Sequence, residues 1–228
     1  MSVLLSGGGD PEALGPVVER LVTEVRRGTA AAPTIGVLPG GSRELIDAVT
    51  RLGSAAGVTV TELPTAPATS DVLPLNALVV GDGDAAQLLM ALGEVVTDVR
   101  GLVHRGASYL GIGAGAAIAA DTVLLGGSEI GGVAVGPAAT DAETEVEAAA
   151  GLGLIDLTVV PAAATSGRVG LGVAAIEAEL TDRILGLDLD TTLVIGEGEL
   201  ELLGRGSMWE LSAGDDGVTV RTSRASTE

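Results

Sequence analysis

The chain of 228 residues has no cysteine, no phenylalanine and no lysine. Without cysteine it has no disulfide framework, no thiolate nucleophile and no thiolate metal site. Aromatic residues amount to 1%, one Trp and one Tyr, so a core must be assembled from Val, Leu, Ile and Ala. His104 is the only imidazole. No run of about 18 apolar residues occurs, as a membrane-spanning helix would need. No charged-then-apolar leader opens the sequence. These absences predict a cytoplasmic protein that neither spans a membrane nor is secreted. Positive charge is also scarce: 12 basic residues, all arginine, stand against 31 acidic ones, for a net charge of −19. A field of that sign repels nucleic acid and anionic membrane, which disfavours both as partners, and neither is expected. It would attract a cationic, arginine-rich ligand. The same balance also follows from a GC-rich genome that avoids Lys and Phe codons, or from a salt-adapted cytoplasm, since charge speaks to solubility before it speaks to ligand.

What is present is a core-forming pattern. The hydrophobic fraction is 46%, and the length suits one large α/β domain over 1–228. An apolar strand at 3–5 runs into Gly7-Gly8-Gly9-Asp10, where Asp10 is placed to cap a helix with Pro11 at its first position. Leu14, Val17, Val18, Leu21, Val22 and Val25 recur at helical spacing, and Gly28 ends the stripe. A strand at 34–38 follows, then Ser42 as the cap of a helix carrying Leu45, Ile46, Val49 and Leu52, then a strand at 58–63. Residues 64–73 read as a loop. After a strand at 75–80 come helices over 84–92 and 94–105. This strand–helix rhythm with Gly-rich joints predicts a three-layer sandwich around a mostly parallel central sheet, with its site at the strands' carboxyl ends. Farther on, the acidic run 141–147 reads as a solvated connector. A strand at 154–160 and a helix at 168–180 precede close-spaced strands at 184–187, 193–195, 199–203, 208–211 and 218–221, which read as an antiparallel tail.

The organising stretch is 108–121, Ser-Tyr-Leu-Gly-Ile-Gly-Ala-Gly-Ala-Ala-Ile-Ala-Ala-Asp. A short apolar strand turns through Gly111, Gly113 and Gly115 into a helix of small residues that begins near Ala114. A sharp strand-to-helix turn of this kind is a nucleophile elbow, which thrusts its tip residue out at the carboxyl edge of a sheet. The tip here is Gly113, which carries no side chain.

This stretch resembles the Gly-Thr-Ser-Ala-Gly-Ala elbow of cyanophycinase and dipeptidase E, serine peptidases with the class I glutamine-amidotransferase-like (flavodoxin-like) fold. Further segments resemble that family's signposts in its order: Gly7-Gly8-Gly9, Val80-Gly81-Asp82-Gly83-Asp84, Gly151-Leu152-Gly153-Leu154-Ile155, Gly167-Arg168-Val169-Gly170 and Gly186-Leu187-Asp188-Leu189-Asp190-Thr191. The resemblance implies a nucleophilic Ser at the elbow, a His base in an Asp-Gln-His-Phe run and an orienting Glu in an Ile-Asp-Glu-Asp-Thr run. Carried over, those positions are Gly113, Ala162 and Leu189, so the Ser-His-Glu triad is absent. The former oxyanion region falls on Asp82, Gly83 and Ala114. A carboxylate at 82 opposes a developing negative charge there.

Other residues offer little to replace the triad. His104, near the end of a helix and followed by Arg105, is placed to cap carbonyls. Ser108 points along the elbow strand; Thr165 and Ser166 adjoin the former base position and read as turn residues. Asp82, Asp84, Asp188 and Asp190, with Ser166, either ring one mouth that would hold a cation or an arginine side chain, or serve as caps and turns. No metal or cofactor is expected. The leading expectation is a non-catalytic binding or scaffolding protein for a cationic peptide or small molecule, as a homodimer or a hetero-oligomer with a paralogue. The alternatives are a divergent hydrolase of β-aspartyl or arginyl peptides and a structural subunit paired with an active paralogue. Ala162 and Leu189 are expected beside Gly113 as a buried apolar lining.

Overall fold

The computed structural model describes residues 2–10, 13–28, 32–40, 43–136, 145–196, 198 and 200–225. Pro11 as a first helical residue, Ser42 as a cap, Glu199 as the start of a strand and positions 141–144 of the acidic run lie outside the described residues. The first half alternates regularly: β1 Val3–Ser6, α1 Gly15–Gly28, β2 Thr34–Leu38, α2 Arg43–Ala55, β3 Thr59–Glu62, α3 Thr69–Val72, β4 Ala77–Val80, α4 Ala85–Leu92, α5 Val96–His104, β5 Ser108–Ile112 and α6 Ala114–Ile118. The second half is mostly strand: β6 Thr122–Leu125, β7 Glu129–Ile130, β8 Val133–Ala134, β9 Glu147–Ala150, β10 Thr158–Pro161, α7 Arg168–Glu177, β11 Arg183–Leu187, β12 Thr191–Ile195, β13 Glu201–Gly204, β14 Ser207–Gly214 and β15 Gly217–Arg224.

The central sheet has seven strands in the order β13-β12-β1-β5-β4-β2-β3. The five strands from β1 to β3 are mutually parallel, while β12 lies antiparallel to β1 and β13 antiparallel to β12. Alternation along each strand feeds two cores. Leu5, Leu78, Val80 and Tyr109 face the layer of α4, α5 and α6. Leu4, Ala77, Val79, Leu110 and Ile112 face the stripe of α1 and the apolar side of α2. The α1 stripe is buried throughout, from Leu14 to Val25, and each such side chain contributes about 1.5–3 kcal/mol of transfer free energy. The sheet is therefore covered on both faces, as the sequence rhythm predicts.

The C-terminal strands pair antiparallel with one another, as the sequence reading expects, but they divide between two sheets. β12 and β13 extend the central sheet, whereas β10, β11, β14 and β15 make a second, four-stranded sheet in which β10 and β11 are parallel. Burial explains the division. The first four residues of β12 are all buried, so it needs cover on both faces, while β15 is exposed along nearly its whole length and suits an outer edge. A third core, with Val160, Ala163, Ala175, Ile176, Ile184 and Leu211, joins the second sheet to α7.

Smaller differences follow from local geometry. The strand expected over 154–160 is reduced to Thr158–Pro161. Ahead of it, the chain turns at Gly153 and binds back to the segment after α6, with the Asp121 N–H donating to the Ile155 carbonyl at 2.9 Å. The loop at 64–73 contains the single turn α3. The first helix is described over Gly15–Gly28, and ahead of it the Ala13 and Leu14 N–H groups donate to the Asp10 carbonyl at 2.9 and 3.3 Å. The structure adds a β6–β9 ribbon and a β7–β8 hairpin to the strands expected from the sequence.

Candidate functional site

Three loops leave the carboxyl ends of β1, β4 and β5, which are neighbours in the sheet. Between β5 and α6 the chain reverses at Gly113, whose backbone stands at φ 56°, ψ −120°. Residues with a Cβ rarely adopt that conformation. The Gly113 N–H donates to the Ser6 carbonyl at 3.0 Å, and its own carbonyl accepts from the Ala116 and Ala117 N–H groups at 2.9 and 3.1 Å. Two residues on, Gly115 is required for close approach, since a Cβ there would run into the Val80 and Gly81 carbonyls. The buried Tyr109 hydroxyl donates to the Gly115 carbonyl at 2.7 Å and holds the turn against the sheet. Burial pushes the Tyr109 phenol far above its ordinary pKa.

Asp82, on the loop after β4, reaches into this turn. Its Oδ1 accepts the Ala114 N–H at 2.8 Å and the Gly83 N–H at 2.8 Å. Both backbone donors at this turn are therefore occupied by a side chain of the same molecule. A Cβ placed on Gly113 would overlap the Asp82 carboxylate. The side chain therefore fills the space that a tip residue would need.

The other two triad-aligned positions meet the loop after β1. The Ala162 N–H donates to the Gly7 carbonyl at 3.2 Å. Leu189 approaches from the β11–β12 turn: the point where Gly8 would carry a Cβ lies 3.7 Å from Leu189 Cδ2, 4.0 Å from Asp82 Oδ2 and 4.0 Å from Gly113 Cα. Gly113, Ala162 and Leu189 are thus all gathered around Gly7 and Gly8. Leu189 does not form a buried lining, however. It is 38% exposed, because it sits in a turn at the rim of the crevice rather than on a strand.

The aspartates are largely consumed by the fold. Asp84 is the N-cap of α4 and accepts the Gln87 N–H at 2.8 Å. Asp188 takes three donors: the Ala164 N–H at 3.1 Å and the Trp209 indole N–H at 2.9 Å on Oδ1, and the Ser207 N–H at 3.0 Å on Oδ2. Asp190 accepts the Asp10 N–H at 3.2 Å and pairs with Arg205 at 2.6 Å. Ser166 Oγ donates to the Ala162 carbonyl at 2.7 Å, a turn bond. His104 ends α5, just before β5 begins, and so lies at the sheet edge opposite Gly113. Among the described residues no cluster of His, Asp and Glu is arranged to hold a metal.

Sequence reading passed over Ser6. This fully buried residue ends β1, its hydroxyl accepts the Gly8 N–H at 3.3 Å, and its carbonyl anchors Gly113. A polar residue at a strand's carboxyl end before a triple glycine was the available signal.

The chain matches no family model and no curated protein sequence. Solved structures do match it. A peptidase from an acI-B1 Actinobacterium superposes with a TM-score of 0.63 at 16% identity, over 99% of this chain and 95% of that one. The fold is that of the peptidase E-type proteins. A peptidase E-type protein from Listeria monocytogenes EGD-e agrees, with a TM-score of 0.57 at 17% identity over 89% of this chain and 98% of the other. The two superpositions cover 99% and 89% of this chain, so the likeness of fold is not confined to one segment.

Proposed function

We propose that this protein is a non-catalytic relative of the peptidase E-type enzymes, a pseudoenzyme that uses the crevice for binding or scaffolding. One observation carries the reading: the turn that would present a nucleophile presents Gly113, with Ala162 and Leu189 around the same loop. Acyl transfer from a serine requires a hydroxyl, a base for its proton and a group that orients the base. Hydrogen, a methyl group and an isobutyl group do none of this. The net charge of −19 favours a cationic peptide or small molecule as occupant, and disfavours nucleic acid and anionic membrane. No helix among the described residues is long and apolar enough to cross a membrane, and we place the protein in the cytoplasm, as a homodimer or beside an active paralogue.

The test pairs chemistry with binding. The purified protein is treated with an active-site serine probe and assayed on Asp-X and β-Asp-Arg dipeptides, and native mass spectrometry is used to find co-purified ligand. No labelling and no hydrolysis are expected, with any retained species cationic. Hydrolysis well above the buffer blank would establish instead a divergent hydrolase of β-aspartyl or arginyl peptides.

A further inference from the structure

We propose that Asp82 is an intramolecular lock on the elbow, so that positions 82 and 113 exclude one another and the crevice is closed to carbonyl-derived oxyanions. The inference rests on the non-catalytic reading above and adds a device to it. Asp82 Oδ1 holds both backbone donors that a tetrahedral intermediate would need, the Gly83 and Ala114 N–H groups. The same carboxylate occupies the volume of a residue-113 Cβ, overlapping it at Cγ and at Oδ1. A single side chain thus stands in for the missing nucleophile and for the charge that the nucleophile would create.

The loop has little freedom to retreat. A Cβ on Gly40 would meet the Asp82 carbonyl, and one on Gly81 would meet the Pro39 carbonyl, so the backbone on either side of Asp82 is packed directly against the Pro39–Gly40 turn. Room at position 113 can come only from rotating the carboxylate away, which surrenders two charge-assisted hydrogen bonds at once. An incoming oxyanion faces the same obstacle, because it would have to displace a negative charge already held at the same donors. Boronates, phosphonates and a scissile peptide carbonyl are shut out of these two donors, which leaves the rest of the crevice open to a cationic peptide. Asp82 is itself exposed, so its negative charge remains open to solvent. Rebuilding a nucleophile at 113 would therefore require position 82 to be emptied first.

The test is a stability cycle on the full chain: wild type, G113A, D82G and D82G/G113A, each unfolded in urea. G113A should lower the folding equilibrium constant at least tenfold more in the wild-type background than in D82G, a coupling of about 1.4 kcal/mol. What remains in D82G reports the strain of a methyl group at φ 56°. Equal penalties in both backgrounds overturn the lock. If G113A unfolds outright, recovery of folding in the double variant supports the proposal. If neither folds, amide NMR of D82G alone decides: the Gly83 and Ala114 N–H resonances should move upfield relative to wild type, and unmoved resonances overturn it. Hydrolysis by the wild-type protein would defeat the non-catalytic reading without touching the coupling, and absent coupling would defeat the lock while leaving wild-type inactivity intact.

Discussion

At the scale of single residues, the crevice is decided by what each side chain is already bound to. Gly113→Ser places a hydroxyl at the tip, but the only imidazole ends α5 at the opposite sheet edge. No imidazole is there to take the serine proton, and the one carboxylate placed beside residue 113, Asp82, already holds two backbone donors. Gly113→Ser is expected to show no dipeptide hydrolysis above wild type; turnover well above background would reveal a base that the geometry does not show. Asp188 is the contrasting case, an acid that works for the fold. Its carboxylate gathers donors from the turn after β10, from the start of β14 and from the indole of Trp209. Asp188→Ala leaves three donors without their acceptor and should cost about 2 kcal/mol or more. Trp209 is the single tryptophan, so its emission maximum should move as the indole loses its carboxylate partner. An unchanged spectrum and an unchanged urea midpoint would contradict the assignment.

At the scale of elements, the β5–α6 turn is braced by Tyr109, whose ring lies in the core under α4 and α5 while its hydroxyl binds the Gly115 carbonyl. Tyr109→Phe keeps the packing and removes the bond, for an expected loss of about 1–2 kcal/mol. Burial also makes this residue a determinant of alkaline stability. The folded-state pKa is raised, so the stabilising contribution is complete below the unfolded-state value of about 10. Above that pH the unfolded chain releases a proton that the folded one retains, and stability falls as pH rises. Urea midpoints between about pH 9 and pH 11 should therefore drop more steeply in wild type than in Tyr109→Phe. Parallel slopes would mean that Tyr109 does not carry the effect.

At the scale of the whole molecule, net charge opposes folding. The described ion pairs, Arg20 with Glu24 and Glu201, Arg43 with Glu62 and Arg205 with Asp190, mostly involve partly or well exposed side chains. Exposed pairs are worth about 0–1 kcal/mol each. Repulsion among the excess acids of a −19 chain acts over the whole surface, so it outweighs those pairs. Raising salt from about 0.01 M to about 0.1 M shortens the screening length from about 30 Å to about 10 Å. The melting temperature is expected to rise by about a few degrees over that range. A fall would show that the ion pairs, rather than the repulsion, dominate.

The parts legible from the sequence alone are those in which one short stretch carries its own signal. The α1 stripe from Leu14 to Val25 declares its buried face by helical spacing, and the glycines around 113 declare a turn that larger residues would not fit. Those signals suffice for a parallel sheet covered on both faces, with Gly113 at its carboxyl edge. Tertiary structure decided matters that depend on partners far apart in the chain. Asp82 meets Ala114, 32 residues away, and Asp190 meets Asp10, 180 residues away. The tail divides between two sheets because β12 finds β1 while β11 finds β10 and β14. Strand propensity says that these segments extend, but it does not say which edge each will join. Leu189 is partly exposed for the same reason: hydrophobicity predicts a preference for burial, and only the path of the β11–β12 turn determines that cover stays incomplete.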